Sequence, residues 1–193
     1  MSRNGSPSAG PAARCNLVGF SQAPPFIVTA QMPPDIMAWA DNLRRMHFPP
    51  ERNHLAAHVT LFHSFAPSLF GELKRVLPRM AREYAPPAAR LDGLMNLGSG
   101  TAIAVASPAM LAIWARIAEY FHGALTAQDQ HPPRLHITIQ NKVTREEAVA
   151  LQHSLENAIT PRKFSFTGLE LFIYRGGPWE RVGQWPFRGK ERG

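Results

Sequence analysis

Apolar and polar positions alternate along this chain with two different periods, and the switches between them outline its elements. Phe26 to Ala30 is a β-branched, apolar run with the character of a strand, stopped by Pro33-Pro34. Asp35 then reads as the cap of a helix whose Ile36, Trp39 or Ala40, Leu43 and Met46 or His47 fall on one face. A second strand is expected from about Ala57 to Phe62. Ser68 starts a second helix, with Leu69, Leu73, Val76 or Leu77, Met80 and Tyr84 as its stripe. Pro78 lies inside that stripe and predicts a kink or a division.

Past Pro86-Pro87 the order repeats. Leu91 to Leu97 and Thr101 to Ala106 read as a hairpin through Gly98-Ser99-Gly100. Ser107 and Pro108 open a helix with Leu111, Trp114, Ile117 or Ala118, Phe121 and Leu125 on its face. Another strand runs from about Leu135 to Val143, and Thr144-x-x-Glu147 is a capping box for the helix that follows. Lys163 to Tyr174 reads as one strand, Arg175-Gly176-Gly177-Pro178 as a turn, and Trp179 to Phe187 as the last strand. Both halves therefore run strand, helix, strand, helix. Almost the same length of chain separates Phe26 from His58 as separates Ala102 from His136. Such a duplication predicts two similar lobes whose equivalent strands meet at the centre. One domain is expected over 24–188, between a disordered tail at 1–23, rich in Ser, Gly, Pro, Ala and Arg, and a short tail at 189–193.

Composition narrows the class. With 193 residues, 45% of them hydrophobic, the chain can bury a core of its own. The tail lacks the apolar centre of a secretory signal, and no apolar run reaches membrane-spanning length. Cys15 is the single cysteine, which excludes an intramolecular disulfide and suits a reducing cytoplasm. A net charge of +7 suits an acidic partner such as RNA or a nucleotide, and a monomer is expected.

The chemistry rests on one pattern that occurs twice: His58-Val59-Thr60-Leu61 and His136-Ile137-Thr138-Ile139. Strand alternation turns each aliphatic pair inward and sets each histidine beside its threonine on the opposite face. Two imidazoles supply an acid and a base near neutral pH, and two hydroxyls can donate to an anionic oxygen. These are the parts of a metal-free phosphodiester cleavage. Regular alternation adds Phe62 to the first face, for base stacking, and Gln140 and Lys142 to the second, where Lys142 could hold a phosphate. Tyr174, Arg175 and Trp179 flank the Gly-Gly turn, and Trp179 is a further stacking candidate; Arg134 joins the cleft if its strand begins early. The other histidines, His63 among them, read as surface or loop residues. A zinc site using His54-x-x-x-His58 would need a helix, which the β-branched run from Val59 opposes, and neither motif has a carboxylate beside it. No metal and no cofactor are expected.

The doubled His-x-Thr-x pattern resembles the two-histidine (2H) phosphoesterases, which include 2′-5′ RNA ligase-like proteins and RNA 2′,3′-cyclic phosphodiesterases. The resemblance spans roughly residues 25–188. It implies an α+β fold of two antiparallel-rich sheets with outer helices, both motif strands flooring a central cleft. It also implies His58 as proton donor, His136 as proton acceptor, and Thr60 and Thr138 as oxygen-binding groups. The activity implied is hydrolysis of a 2′,3′-cyclic phosphate or a related RNA-type ester. A non-catalytic RNA- or nucleotide-binding module using the same cleft is the alternative. Many family members carry a basic residue where this chain has Phe62, which bears on substrate choice.

Overall fold

The computed structural model describes residues 23–190. The expected tails, 1–23 and 189–193, lie outside that range except for residues 23, 189 and 190. Two four-stranded antiparallel sheets carry the fold. The first is built from β1 (Phe26–Gln31), β2 (Val59–Phe65), β7 (Gly168–Ile173) and β8 (Glu180–Pro186), in the order β2-β1-β7-β8. The second is built from β3 (Ala88–Asn96), β4 (Gly100–Ala106), β5 (His136–Asn141) and β6 (Arg162–Ser165), in the order β5-β4-β3-β6. Each motif strand is thus an edge strand paired to the strand that precedes it in its own half. The duplication read from the sequence is a duplication of topology.

Among the described residues, four α-helices complete the α+β fold: α1 (Pro34–His47), α2 (Phe70–Glu83), α3 (Pro108–Tyr120) and α4 (Arg145–Leu155). Their ends follow local chemistry. Ser107 accepts from the Met110 amide at the start of α3, and Thr144 with Glu147 forms the reciprocal capping box of α4. At α1 the cap position belongs to Pro33, which makes no side-chain bond. Asp35 sits inside the first turn and accepts from Arg162 at 2.8 Å, so it does not cap. The helix α2 runs unbroken through Pro78, because Leu73, Leu77 and Met80 on either side of the proline are buried in the core.

The expected strand from Lys163 to Tyr174 is two strands in different sheets. The chain crosses over at Phe166, whose amide donates to the Pro87 carbonyl beside the second sheet. The next amide, Thr167, donates to Gln31 at the end of β1 in the first. Gly168 permits the landing, since a Cβ there would lie 2.5 Å from the Trp185 carbonyl oxygen.

Both motif strands carry the same irregularity. In the first sheet Thr29 opposes Thr60 but Val28 opposes Phe62, so β2 advances two residues for one of β1. In the second, Ala102 opposes Thr138 and Thr101 opposes Gln140. Each strand bulges immediately after its motif threonine, and a bulge reverses the alternation beyond it. Phe62 and Gln140, expected on the cleft face, are therefore turned into the interior. Phe62 is 0% exposed and packs on Phe65 and Trp114, and Gln140 bonds the buried Thr101 hydroxyl. Neither can meet a ligand at the cleft. Phe62→Ala is expected to cost about 3–5 kcal/mol of stability, as for other aromatic truncations in a packed core. Denaturant unfolding reads this loss.

Candidate active site

The two histidines are held in the same way. Nδ1 of His58 lies 2.8 Å from the carbonyl oxygen of Ala56, and Nδ1 of His136 lies 2.6 Å from that of Arg134. Each carbonyl is two residues before its ring. A carbonyl oxygen only accepts, so each Nδ1 carries the hydrogen and Nε2 is left to give or take a proton. His58 stands just ahead of β2, and His136 is the first residue of β5. Thr60 and Thr138 follow at the next position on the same face, both half-buried.

What brings the motifs together is Arg44, near the end of α1 and only 3% exposed. Although α1 follows β1 in the chain, it packs on β5 of the other sheet. From there the Arg44 guanidinium donates through Nη1 to the Thr138 carbonyl at 2.8 Å and through Nε to the Leu55 carbonyl at 3.2 Å. Its Nη2 reaches Asn53 at 2.8 Å, and its plane lies over Phe48. One fork thus binds the second motif strand and the loop that delivers His58. Asp41, one turn earlier on α1, accepts the Ala57 amide and fixes the other end of that loop. Burial lowers the Arg44 pKa, and the Asp41 charge partly offsets this.

The electrostatics of His58 follow from this enclosure. Burial pushes its pKa down to about 4; the Ala56 bond raises it, and the Arg44 and His136 charges lower it further. His58 is therefore neutral at pH 7 in the unliganded protein. Next to it stands Trp179, its ring centre 4.6 Å from that of His58 and 5.7 Å from that of Phe172. The stacking candidate on the last turn thus belongs to the site. Lys142 lies past the end of β5 with φ of 61°, exposed, its carbonyl accepting from Arg52. Strand alternation no longer orients it. Arg134 enters the site through its backbone carbonyl.

A second irregularity in β2, between the pairs Val28–Phe62 and Phe26–Phe65, frees the amides of His63 and Ser64 from the ladder. The buried carboxylate of Asp129 accepts both, together with Nδ1 of His63 and the Thr126 hydroxyl. Burial alone would raise the Asp129 pKa, but these hydrogen bonds outweigh it and hold the carboxyl below its usual value. The stretch before the second motif is thereby tied to the strand of the first. His63, a surface residue as expected, is one end of that tie. The signal for Arg44 was present in the sequence, since a basic residue one turn beyond Ala40 falls on the apolar face of α1 and calls for buried acceptors. Among the described residues, no three His, Cys, Asp or Glu side chains converge as a metal-ligand group.

Arg44→Met leaves the Leu55 and Thr138 carbonyls and Asn53 without their donor, at about 1–3 kcal/mol for each group left unpaired. Thermal unfolding is expected to register the loss. In the variant the His58 imidazole is expected to titrate at higher pH by NMR, because both a neighbouring positive charge and a tight enclosure are gone.

Known proteins share the fold that holds these residues. A family profile described as the 2′-5′ RNA ligase superfamily matches residues 32–178. No curated protein matches the chain by sequence. Among solved structures, TT0787 of Thermus thermophilus superposes with a TM-score of 0.60 at 15% identity, over 86% of this chain and 100% of that one. A structure described as a phosphoesterase gives 0.54 at 18%, over 86% and 98%. Escherichia coli LigT complexed with NADP+ gives 0.55 at 17%, over 86% and 99%, and LigT complexed with 3′-AMP gives 0.53 at 17%, over 86% and 98%. At these identities the likeness is one of fold. The profile match covers most of the chain and carries the assignment: this protein belongs to the 2′-5′ RNA ligase superfamily.

Proposed function

We propose that the protein is a metal-independent phosphodiesterase that hydrolyses 2′,3′-cyclic phosphates or related RNA-type phosphodiesters, with His58 and His136 as its acid–base pair. The observation that carries this reading is the matched anchoring of the two rings. Each has its Nδ1–H engaged by its own backbone and its Nε2 left for proton transfer, and each is followed by a threonine on the same face. The nucleotides named in the LigT complexes fit a nucleotide-type ligand, and the net positive charge suits an anionic one.

In this mechanism His136 takes a proton from water as the water oxygen bonds to phosphorus. The bond from phosphorus to one ribose oxygen breaks on the opposite side, and His58 delivers a proton to that oxygen. The products are a phosphomonoester on one ribose position and a hydroxyl on the other. Thr60 and Thr138 donate to the non-bridging oxygens as negative charge builds on them. Backbone-anchored imidazoles need no reorganisation for this step. His58, neutral in the free protein, acquires its proton when the phosphodiester anion arrives and favours the charged ring.

Turnover of 2′,3′-cyclic nucleotides, with and without EDTA, tests the proposal. His58→Ala and His136→Ala are each expected to lose roughly 10²- to 10⁴-fold, with the double variant little worse than either single. Near-normal turnover in His136→Ala would sink the two-histidine reading, and activity lost to the chelator and restored by zinc would sink the metal-free one. The donor role of His58 has its own test. Its folded-state pKa is about 4 and an anion raises it, so binding takes up a proton between those two values and affinity weakens as pH rises through that window. Calorimetry of a deoxyadenosine dinucleotide, whose phosphodiester charge is constant, is expected to show proton uptake at about pH 6 that diminishes by about pH 8 and disappears in His58→Gln. Uptake unchanged in His58→Gln would remove the donor role from His58.

A further inference from the structure

The duplication that doubles the motif histidine places a hollow beside each copy. The first, of about 330 Å³, is lined by His58 itself and by Trp179 and Phe172. The second, of about 350 Å³, is lined by Ala104, which opposes His136 across the ladder, and by Arg134, two residues before that histidine. Both lie at the small end of ligand pockets, the scale of one nucleoside each. Their walls come from matching places in the two halves. Met37 and Leu111 are each the fourth residue of a helix that begins with proline, α1 and α3. Ala56 and Arg134 each supply the carbonyl that anchors a motif ring. Glu170 and Phe172 come from β7, Asp92 and Met95 from β3, and each of these strands lies just beyond the motif strand's partner.

Strand alternation sets both hollows on the cleft face. Ile103 and Val105 in β4, like Leu169 and Leu171 in β7, belong to the core. Ala104, Ala106, Glu170 and Phe172 are thereby left on the side of the motif histidines and threonines. The first hollow is suited to a polar ligand. Glu170 is 7% exposed, and its Oε1 accepts from Arg181 Nη1 at 3.1 Å. Among the described residues its Oε2 has no donor, a costly state for a buried carboxylate. A sugar hydroxyl or a donor on any base relieves it, and Trp179 offers a face on which any base can stack. In the second hollow Ala104 and Ala106 keep the floor low. Arg134 is exposed beside them, and a guanidinium can lie along the face of a base.

We propose that the hollow beside His136 is a second nucleoside site, so that the protein takes a linear phosphodiester with one nucleoside seated beside each histidine. The proposal rests on the two-histidine reading given above. A 2′,3′-cyclic nucleotide carries one nucleoside and fills one hollow. A diester joining two nucleosides fills both, with its phosphate between the rings. The water oxygen bonds to phosphorus as His136 takes the water's proton. The bond from phosphorus to the nucleoside beside His58 breaks, and His58 protonates the departing oxygen. A nucleoside with a free hydroxyl leaves past Trp179, and a phosphomonoester stays on the nucleoside beside His136.

Two diesters of equal charge isolate the second nucleoside. One is a deoxyadenosine dinucleotide; the other is deoxyadenosine 3′-methyl phosphate, in which a methyl group replaces that nucleoside. By calorimetry the parent protein is expected to bind the dinucleotide roughly tenfold more tightly, the effect of one added stacked base. Ala106→Phe, which fills the second hollow, is expected to bring the two affinities within about twofold of each other. Met95→Ala, which takes away part of its wall, is expected to narrow the gap as well. Equal affinities in the parent, or a gap unchanged in both variants, would overturn the proposal. Turnover of 2′,3′-cyclic nucleotides without any gap would remove the second site and leave the phosphodiesterase reading intact. A gap without turnover of any diester would do the reverse, and binding of neither diester would remove both.

Discussion

One buried guanidinium holds the two halves of the candidate site in register. Arg44 donates to the backbone of the second motif strand and to the loop that carries the first histidine, and it does so from a helix that belongs by sequence to the first half and by packing to the second. Apolar contact alone would let two edge strands slide by fractions of an ångström. A planar fork with three acceptors allows far less movement. The same charge helps keep His58 neutral in the free protein. Arg44, which lies on neither motif strand, thus fixes position at the site and adds to the effect of burial on the protonation of His58.

Around that tie, the two motif histidines are oriented by backbone rather than by other side chains. Ala56 and Arg134 orient the rings through their carbonyls, Asp41 and Asp129 hold loop and bulge amides, and the bulges after Thr60 and Thr138 turn Phe62 and Gln140 inward. Such supports restrict ring rotation without placing a carboxylate against either imidazole. At His58 the pKa is set by enclosure first, against the bond to Ala56, and then by neighbouring charge.

Much of this was legible in the sequence where a signal is local. The His-x-Thr pair, the capping box of α4, the Ser107 cap and the strand–helix order depend on neighbours in the chain, and each lies where the pattern placed it. Phe62 and Gln140 were misplaced because alternation was extended through positions at which each strand carries one residue more than its partner. A bulge is a property of the pair of strands, and nothing in β2 or β5 alone announces it. The merging of β6 with β7 failed for a related reason: an uninterrupted alternating stretch does not say that its two ends belong to different sheets.

The order β2-β1-β7-β8 has a consequence for how the molecule forms. Among the described strands β1 comes first in the chain, yet one of its two neighbours, β7, lies far along it. During synthesis the β1–β2 pair must wait, with one edge open, until β7 has been made. Pairing at such separation is slow to close, and an unpaired apolar edge is exposed to other chains meanwhile. The second sheet is under much less of this constraint, since β3, β4 and β5 follow one another and pair in turn. It can assemble first and offer β5 as the surface on which α1, and with it the first half, comes to rest.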